Sequence, residues 1–245
     1  MEMNDRITNA RKFIAIYNEI DNYMRRFQKV DNRVSHTQLI KDMGRQNKLF
    51  RNHCDDLISF AELRNAIVHN PKNRDANPIA EPHDNIVKLY QDLLDKVTKP
   101  PLALNTVAIR ANDIYKTSLE NNALEVIQEM NKHTYTHVPV LEDDKIIGVF
   151  SENTVFSYFA SNEEVLLDKD ALIKEFLDFI PFDKHESEYF EFVSKNTLLI
   201  DVEDIFREGL KDNKRIATVF ITETGSEKEK LLGLITAWDL VGYEK

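Results

Sequence analysis

The 245-residue sequence lacks most features that cross-link or anchor a chain. It has a single cysteine, Cys54, so no intramolecular disulfide can form. The first residues, MEMNDRITNARKF, contain no apolar signal-peptide core, and no later run approaches the roughly 20 apolar residues of a membrane span. These absences predict a soluble, cytoplasmic protein that has no membrane partner.

Positive residues are outnumbered by acidic ones, and the imbalance is uneven along the chain. The formal net charge is −10, yet residues 1–100 hold 17 Lys and Arg against 14 Asp and Glu. The acidic excess therefore lies in residues 101–245. A protein that coats duplex DNA carries a stronger basic surface, so duplex DNA is not an expected partner. Any contact with nucleic acid is expected to be local and to involve the first part of the chain.

Glycine is also rare before the middle of the chain, where Gly44 is the only one ahead of Gly148. Pro100 and Pro101 interrupt the chain, and a proline pair ends a helix. The stretch before them has the three- and four-residue apolar spacing of helices, with Ser35 as a cap candidate and a long helix over residues 46–69. An α-helical bundle is therefore predicted for residues 1–99.

The chain after the prolines repeats itself. SLENNALEVI (118–127) aligns with TLLIDVEDIF (197–206), and KIIGVFSENTVF (145–156) aligns without a gap with KLLGLITAWDLV (230–241). Each copy has the pattern strand, helix, strand, hairpin, strand, helix. This pattern predicts two copies of one unit, at about 102–160 and 191–245. The acidic, aromatic segment at about 161–190 is predicted to be an inserted helix and loop.

The repeated unit resembles the CBS domain, a βαββα module that occurs in tandem pairs and often binds adenosine-containing ligands. The resemblance covers roughly residues 101–245. Its most specific part is the motif G-h-h-[ST]-x-x-D, where h is apolar, which the second copy keeps from Gly233 through Thr236 to Asp239. The resemblance implies an α+β protein, with an all-α bundle followed by a CBS pair. It also implies AMP, ADP, ATP or a related adenosine nucleotide as a regulatory ligand.

The chemistry of the motif agrees with that ligand. Gly233 permits close approach of the backbone, and the Thr236 hydroxyl and nearby N–H groups can meet a phosphate. Asp239 offers two acceptor oxygens, which suit the two hydroxyls of a ribose. The alternative is that Thr236 and Asp239 simply cap a helix.

The first copy departs from the motif. Gly148 and Ser151 remain, but Thr154 stands in place of the aspartate. Because one hydroxyl cannot hold a ribose diol, one good nucleotide site per chain is expected. The layout of the family places the adenine slot near THVPV, so His137 and Ser151 join the candidate ligand contacts. His133 and His137 have the i, i+4 spacing of a metal pair, but that spacing applies on a helix and these residues enter a strand; no metal site is predicted.

The helical part contains RNAIVH, in which Arg64, Asn65 and His69 match R-N-x-x-x-H. This motif resembles the signature of HEPN domains, helical bundles that include many metal-independent ribonucleases. The resemblance implies His69 as general base, Arg64 as phosphate clamp, Asn65 as the group that orients them, and a homodimer that brings two motifs together. A histidine near neutral pH can take a proton from a 2′-hydroxyl while arginine binds the phosphate.

Residues beyond the motif extend this hypothesis, and a structural alternative stands beside it. Lys72 and Arg74 are placed to hold flanking phosphates of RNA. In the alternative, His69 is a helix C-terminal residue favoured by the helix dipole. Arg64 would then form an ion pair with Glu62 or Asp56 on a neighbour.

Two functions follow from these patterns. The first is an adenosine-nucleotide sensor whose helical domain is a metal-independent endoribonuclease of the toxin or phage-defence type, gated by the CBS pair. The second is a non-enzymatic nucleotide sensor whose helical domain dimerises or recruits a protein.

Overall fold

The structure of the protein, a computed structural model, describes residues 8–68, 78–161 and 168–243. The chain divides into two compact units, residues 1–100 and residues 101–245. The first is helical in its described parts, and the second mixes helices and strands. The predicted α+β class is therefore confirmed, whereas the HEPN identity of the helical part is not shown.

Five helices build the described parts of the first unit. They are α1 (Asn9–Gln28), α2 (His36–Gln46), α3 (Lys48–Asn52), α4 (Cys54–Val68) and α5 (Asp84–Thr98). The side chain of Ser35 accepts a hydrogen bond from the Gln38 N–H and caps α2, as predicted. The long helix predicted over residues 46–69 is instead split into α3 and α4. Asn47 caps a new helix by accepting bonds from the N–H groups of Leu49 and Phe50.

The core of the first unit follows the helical spacing of the sequence. Phe13, Ile20 and Met24 on α1 are fully buried. Phe27, at the end of the same stripe, is 51% exposed. Tyr90 of α5 is fully buried, with its ring centroid 4.7 Å from that of Phe13. Apolar burial along one helix face thus holds the first unit together.

The second unit contains two sheets and the helices packed against them. Its helices are α6 (Ala103–Thr106), α7 (Ala123–His133), α8 (Glu152–Ser161), α9 (Leu199–Glu208) and α10 (Ala237–Tyr243). Its strands are β1 (Ile109–Arg110), β2 (His137–Glu142), β3 (Lys145–Ser151), β4 (Glu188–Ser194), β5 (Leu210–Lys211), β6 (Lys214–Thr222) and β7 (Gly233–Ile235). One sheet has the order β1-β7-β6-β4, with β5 on β6, and the other pairs β2 with β3.

The two hairpins place a glycine at equivalent points. Gly148 of β3 lies opposite Val140, and Gly233 of β7 lies opposite Ile221. A Cβ on Gly148 would lie 2.1 Å from the Ile180 carbonyl oxygen, and a Cβ on Gly233 would lie 2.9 Å from the Ile109 carbonyl oxygen. Each glycine therefore allows a backbone segment from elsewhere in the unit to approach its strand.

The segment predicted as an insertion at 161–190 has a different role in its described part, from residue 168 onwards. It forms short 3₁₀ helices at Ile173–Phe179 and Phe182–Lys184. Ile173, Phe176 and Ile180 are fully buried in the core that α7 and β2 share. This part of the chain completes the hydrophobic core of the first repeat.

Backbone hydrogen bonds show why it does so. The Ala123 N–H donates to the Ala171 carbonyl at 2.8 Å, and the Leu199 N–H donates to the Pro101 carbonyl at 2.9 Å. The chain from residue 171 thus lies against the first repeat as the chain from residue 101 lies against the second.

Within the described ranges, no helix is long and apolar enough to cross a membrane.

Candidate functional site

A cavity of about 360 Å³ lies in the second unit beside the motif of the second repeat. Strand β6 contributes Thr218, β7 contributes Leu234, and Thr236 and Trp238 follow directly. The described residues that line it from the first repeat are Ile109, Asp113, Ile114, Tyr115, His133, Thr134, Tyr135, Thr136 and His137. The cavity therefore needs both repeats, because each supplies part of its wall.

Thr218 supplies the least expected group in this wall. Its side chain is 1% exposed, and its hydroxyl has no hydrogen-bond partner among the described residues. A buried hydroxyl without a partner costs free energy, on the order of 1–3 kcal/mol.

Thr236 and Asp239 form a local cap. Asp239 Oδ2 accepts hydrogen bonds from the Thr236 N–H at 2.7 Å and from the Thr236 hydroxyl at 2.8 Å. The capping alternative thus describes this arrangement, in which Thr236 lines the cavity and Asp239 lies behind it. Asp239 Oδ1 accepts no bond from the described residues, so one carboxylate oxygen remains available.

Aromatic rings form one side of the same cavity. The Tyr115 and Tyr135 centroids lie 5.8 Å apart with nearly parallel rings, and the His133 ring stacks on Tyr135 at 5.4 Å. Trp238 is 83% exposed, although it is the largest side chain near the motif. Flat apolar faces beside hydroxyl groups suit a ligand that has an aromatic ring and polar edges.

The equivalent place in the first repeat is closed. Ser151 is fully buried, and its hydroxyl donates to Glu188 Oε1 at 2.9 Å. His137 Nε2 donates to Glu188 Oε2 at 2.9 Å, and Asn153 Nδ2 donates to the same oxygen at 2.8 Å. His185 Nδ1 donates to Oε1 at 2.9 Å. Of the two ligand contacts predicted here, Ser151 bonds to a protein carboxylate, whereas His137 also reaches the cavity of the second repeat.

The electrostatics of this cluster favour an ionised carboxylate. Burial alone would raise the pKa of Glu188, but hydrogen bonds from His137 and His185, the charge of His137 and the bond from Ser151 together hold that pKa well below its usual range. The second ring nitrogen of His185 faces the Ile180 carbonyl oxygen at 3.2 Å. Both ring nitrogens of His185 therefore face acceptor oxygens.

Sequence reasoning missed Glu188 and His185. They lie in the acidic segment read as an insertion, and nothing in their local spacing marks them. Glu188 begins β4 and is 51 residues from His137 of β2. Because β4 pairs with β6 and β2 pairs with β3, packing between the two sheets brings these side chains together. The sequence signal that could have indicated them is the presence of His185 and Glu188 at the start of a β-rich run.

In the first unit, the structure places part of the predicted motif. His69, Lys72 and Arg74 lie outside the described residues. Arg64 is half-buried on α4, and its Nη1 donates to Asn65 Oδ1 at 3.3 Å. Arg64 has no carboxylate partner among the described residues of its own chain, and an ion pair with Glu62 or Asp56 on a neighbour stays a prediction.

Arg64 lies beside a polar cluster that the sequence did not indicate. Its Cζ is 4.7 Å from the centroid of Tyr17, and the Tyr17 ring stacks on His36 at 4.0 Å. His36 Nδ1 bonds to Asp21 at 2.8 Å. The His36 Nε2, the Arg64 Nε and the Tyr90 hydroxyl are buried without a partner among the described residues.

Asp21 is the carboxylate of this cluster, and it accepts hydrogen bonds from both Arg25 and His36. Burial lowers the pKa of His36, although the bond to Asp21 opposes the shift. For Asp21, burial would raise the pKa, but bonds from Arg25 and His36 outweigh it and lower the pKa. An aspartate that orients an imidazole leaves the other ring nitrogen for a second partner. Sequence spacing could have joined Tyr17 to Asp21, but not either of them to His36 on the next helix.

Comparison with known proteins agrees with the second unit. Residues 109–161 match the family model of the CBS domain, so the chain contains a CBS domain there. No curated protein matches the sequence.

Solved structures resemble the chain at 12–16% identity in three cases. A hemolysin-like protein containing a CBS domain, from Oenococcus oeni PSU, is 16% identical with a TM-score of 0.39, covering 59% of this chain and 90% of the other. CBSX2 in complex with AMP is 12% identical with a TM-score of 0.41, covering 58% and 94%. CbpB in complex with c-di-AMP is 14% identical with a TM-score of 0.44, covering 63% and 90%. TM-scores below 0.5 do not establish a shared fold.

Proposed function

We propose that the second unit binds one adenosine nucleotide in the cavity of the second repeat and acts as a regulatory sensor. The observation that carries this proposal is a cavity beside the CBS-like motif that aromatic rings and Thr236 border. The adenine packs against the rings, and a ribose hydroxyl reaches past Thr236 to Asp239 Oδ1, which accepts no bond from the described residues. The resemblance of Gly233, Thr236 and Asp239 to the CBS motif supports the same assignment.

The charges around the cavity favour a nucleotide with few phosphates. The described residues that line it include Asp113, His133 and His137, but no lysine or arginine. A triphosphate would bring several negative charges to a wall without a fixed positive charge. AMP is therefore expected to bind more tightly than ATP.

Calorimetry of the full chain with AMP and with ATP tests this proposal. Asp239→Ala should weaken AMP binding about ten- to a hundredfold, as expected for a lost hydrogen bond to a charged group. Asp144→Ala is the control, because Asp144 is an exposed carboxylate bonded to Lys230 in the same unit. Equal AMP affinity in both variants and the wild type would reject the assignment of Asp239.

For the first unit, a gated metal-independent endoribonuclease of the toxin or phage-defence type is the second candidate. It is favoured by Arg64, a half-buried guanidinium without a carboxylate partner among the described residues, next to the Asp21–His36 pair. His69 is the proposed base and Asn65 the orienting group, in a homodimer. The nucleotide gates cleavage if it binds one of two conformations more tightly than the other.

Purified protein incubated with single-stranded RNA and EDTA, with and without AMP, tests the second candidate. Cleavage should disappear in Arg64→Ala and in His69→Ala. Cleavage that persists in both variants would reject this site. No cleavage under any ligand condition would favour the non-enzymatic sensor, and analytical ultracentrifugation measures the dimer independently.

A further inference from the structure

The two repeats can be aligned residue by residue through their strand pairing. Thr117 forms a parallel bridge with Val140, which lies opposite Gly148. Val193 pairs in parallel with Ile221, which lies opposite Gly233. Thr117 and Val193 are therefore equivalent. Before them the two segments differ, because residues 111–113 form a turn whereas Glu188, which is 4% exposed, begins the continuous strand β4.

The same alignment relates the walls of the two sites. His137 lies opposite Ser151 at the ends of β2 and β3. Thr218 and Thr236 flank the Val219–Ile235 pair at the corresponding ends of β6 and β7. The second repeat has an open cavity at this point, whereas the first has the Glu188 carboxylate. The two sites therefore share a backbone arrangement and differ in their occupant.

The first-repeat site is built to hold an anion. Each oxygen of Glu188 accepts two hydrogen bonds, Oε1 from Ser151 and His185, and Oε2 from His137 and Asn153. Four convergent donors on three separate chain segments suit a carboxylate or a phosphate group, both of which offer several acceptor positions. His185 and Glu188 are both more than nine-tenths buried, so water does not satisfy these groups.

We propose that the first repeat contains an anion-binding site for carboxylate or phosphate groups, and that the protein's own Glu188 occupies it. Glu188 thereby excludes a nucleotide phosphate and leaves one open nucleotide site per chain. The inference of one open nucleotide site per chain rests on the proposed nucleotide function, whereas the inference of an anion site does not. A site that is merely a packed ion pair would lose stability without Glu188 but would not accept a free anion in its place.

Rescue of Glu188→Ala by added anions separates these possibilities. The melting temperature of the full-length variant is measured in sodium acetate and in sodium phosphate, each against sodium chloride at equal ionic strength. Above the dissociation constant of the anion, a tenfold increase in its concentration should raise the melting temperature by about 3–5 °C, because only the folded chain holds the site. A response to acetate indicates a carboxylate site, and a stronger response to phosphate indicates a phosphate site.

Two variants are matched controls. Glu188→Gln keeps the side-chain volume, so no space opens and acetate should have no specific effect. Asp144→Ala removes an exposed carboxylate from the same unit and should also show none. A rise in Glu188→Ala no greater than in these controls and the wild type overturns the proposal.

If Glu188→Ala is unfolded in chloride, the same titration is followed by circular dichroism. Recovery of the folded signal in acetate or phosphate supports the anion site, and its absence overturns it. Calorimetry on the wild type then counts AMP: one per chain is expected, and two would overturn the exclusion by Glu188. Anion rescue without AMP binding would reject the nucleotide function alone.

Discussion

The two repeats share their strand pairing at the ends of their hairpins, but the side chains at those ends differ: one repeat leaves a cavity and the other places a carboxylate there. In the second repeat, Thr218 and Thr236 border a cavity, and one buried hydroxyl has no partner among the described residues. In the first, Glu188 fills the corresponding place and accepts hydrogen bonds from four side chains. The Glu188 carboxylate therefore accounts for much of this difference.

The comparison shows how two units with the same strand pairing can differ at one place. A buried hydroxyl without a partner is costly, and a buried carboxylate with four donors is stable. Under the proposals above, the first repeat holds its own carboxylate where the second repeat leaves space for a ligand.

The largest expected effect comes from removing the occupant of the first repeat. Glu188→Ala leaves His137, His185, Ser151 and Asn153 without their shared acceptor. We expect the free energy of unfolding to fall by about 3–5 kcal/mol, as when one partner of a buried ion pair is removed. Urea unfolding measures the loss. Asp144→Ala, an exposed ion pair, should change it by less than about 1 kcal/mol. Similar losses in both variants would mean that Glu188 stabilises the fold no more than an exposed carboxylate does.

Replacing the equivalent glycines Gly148 and Gly233 by alanine should lower the free energy of unfolding by unequal amounts. A Cβ at Gly148 meets backbone atoms of Ile180 at 2.1 and 2.6 Å, whereas a Cβ at Gly233 meets the Ile109 oxygen at 2.9 Å. Overpacking commonly costs about 1–3 kcal/mol, so Gly148→Ala is expected near the upper value and Gly233→Ala near the lower.

Urea unfolding compares the two glycine variants. Gly242→Ala is the control, because a Cβ there meets nothing within 4 Å and alanine favours the helix. A larger loss for Gly233→Ala than for Gly148→Ala would mean that the first repeat is not the more tightly closed of the two.

Acid should weaken the first-repeat site specifically. The folded-state pKa of Glu188 lies below its ordinary value of 4.5, so its stabilising contribution is present above that pH. The contribution is lost as the pH falls below 4.5 towards the folded pKa, at up to about 1.4 kcal/mol per pH unit. Unfolding of the wild type and Glu188→Gln between pH 6 and 3 isolates this contribution, since other carboxylates titrate in both. A difference between them that stays constant with pH would refute it.

The smallest effect is expected in the second repeat and has the opposite sign. Thr218→Val removes a hydroxyl without a partner among the described residues, so stability without ligand should stay the same or rise by about 1 kcal/mol or less. Thr222→Val on the same strand is the control. The Thr222 hydroxyl accepts a bond from the Gly225 N–H, and its removal should lower stability. Thermal unfolding without ligand measures both. A loss in Thr218→Val as large as in Thr222→Val would show that its hydroxyl is satisfied.

Much of the fold could be predicted from local patterns. The stripe of Phe13, Ile20 and Met24 forms the core face of α1, and the Ser35 cap begins α2. The repeated motif relates Gly233, Thr236 and Asp239; in the structure Gly233 begins β7, Thr236 follows it directly, and Asp239 accepts bonds from Thr236. Residues a few positions apart are held together by the geometry of the element itself, so spacing is sufficient to relate them.

The chemistry of the sites was only partly predictable. Asp21 and His36 lie on different helices, and Glu188 meets His137 across 51 residues. Nothing in a local pattern states which distant segments will pair. The sequence predicts an insertion at 161–190 for the same reason. The apolar side chains of residues 171–180 pack against a helix and a strand that precede them by tens of residues, and no local pattern shows this contact.

The sequence by itself determined that this protein has a helical part, a repeated CBS-like part and one intact ligand motif. These features depend on short-range periodicity and on the conformational limits of proline and glycine. Only the tertiary structure decided that one of two equivalent sites is open and the other is filled by Glu188. The physical reason is that burial and hydrogen-bond satisfaction depend on contacts between segments far apart in the chain, and these exist only after the strands have paired.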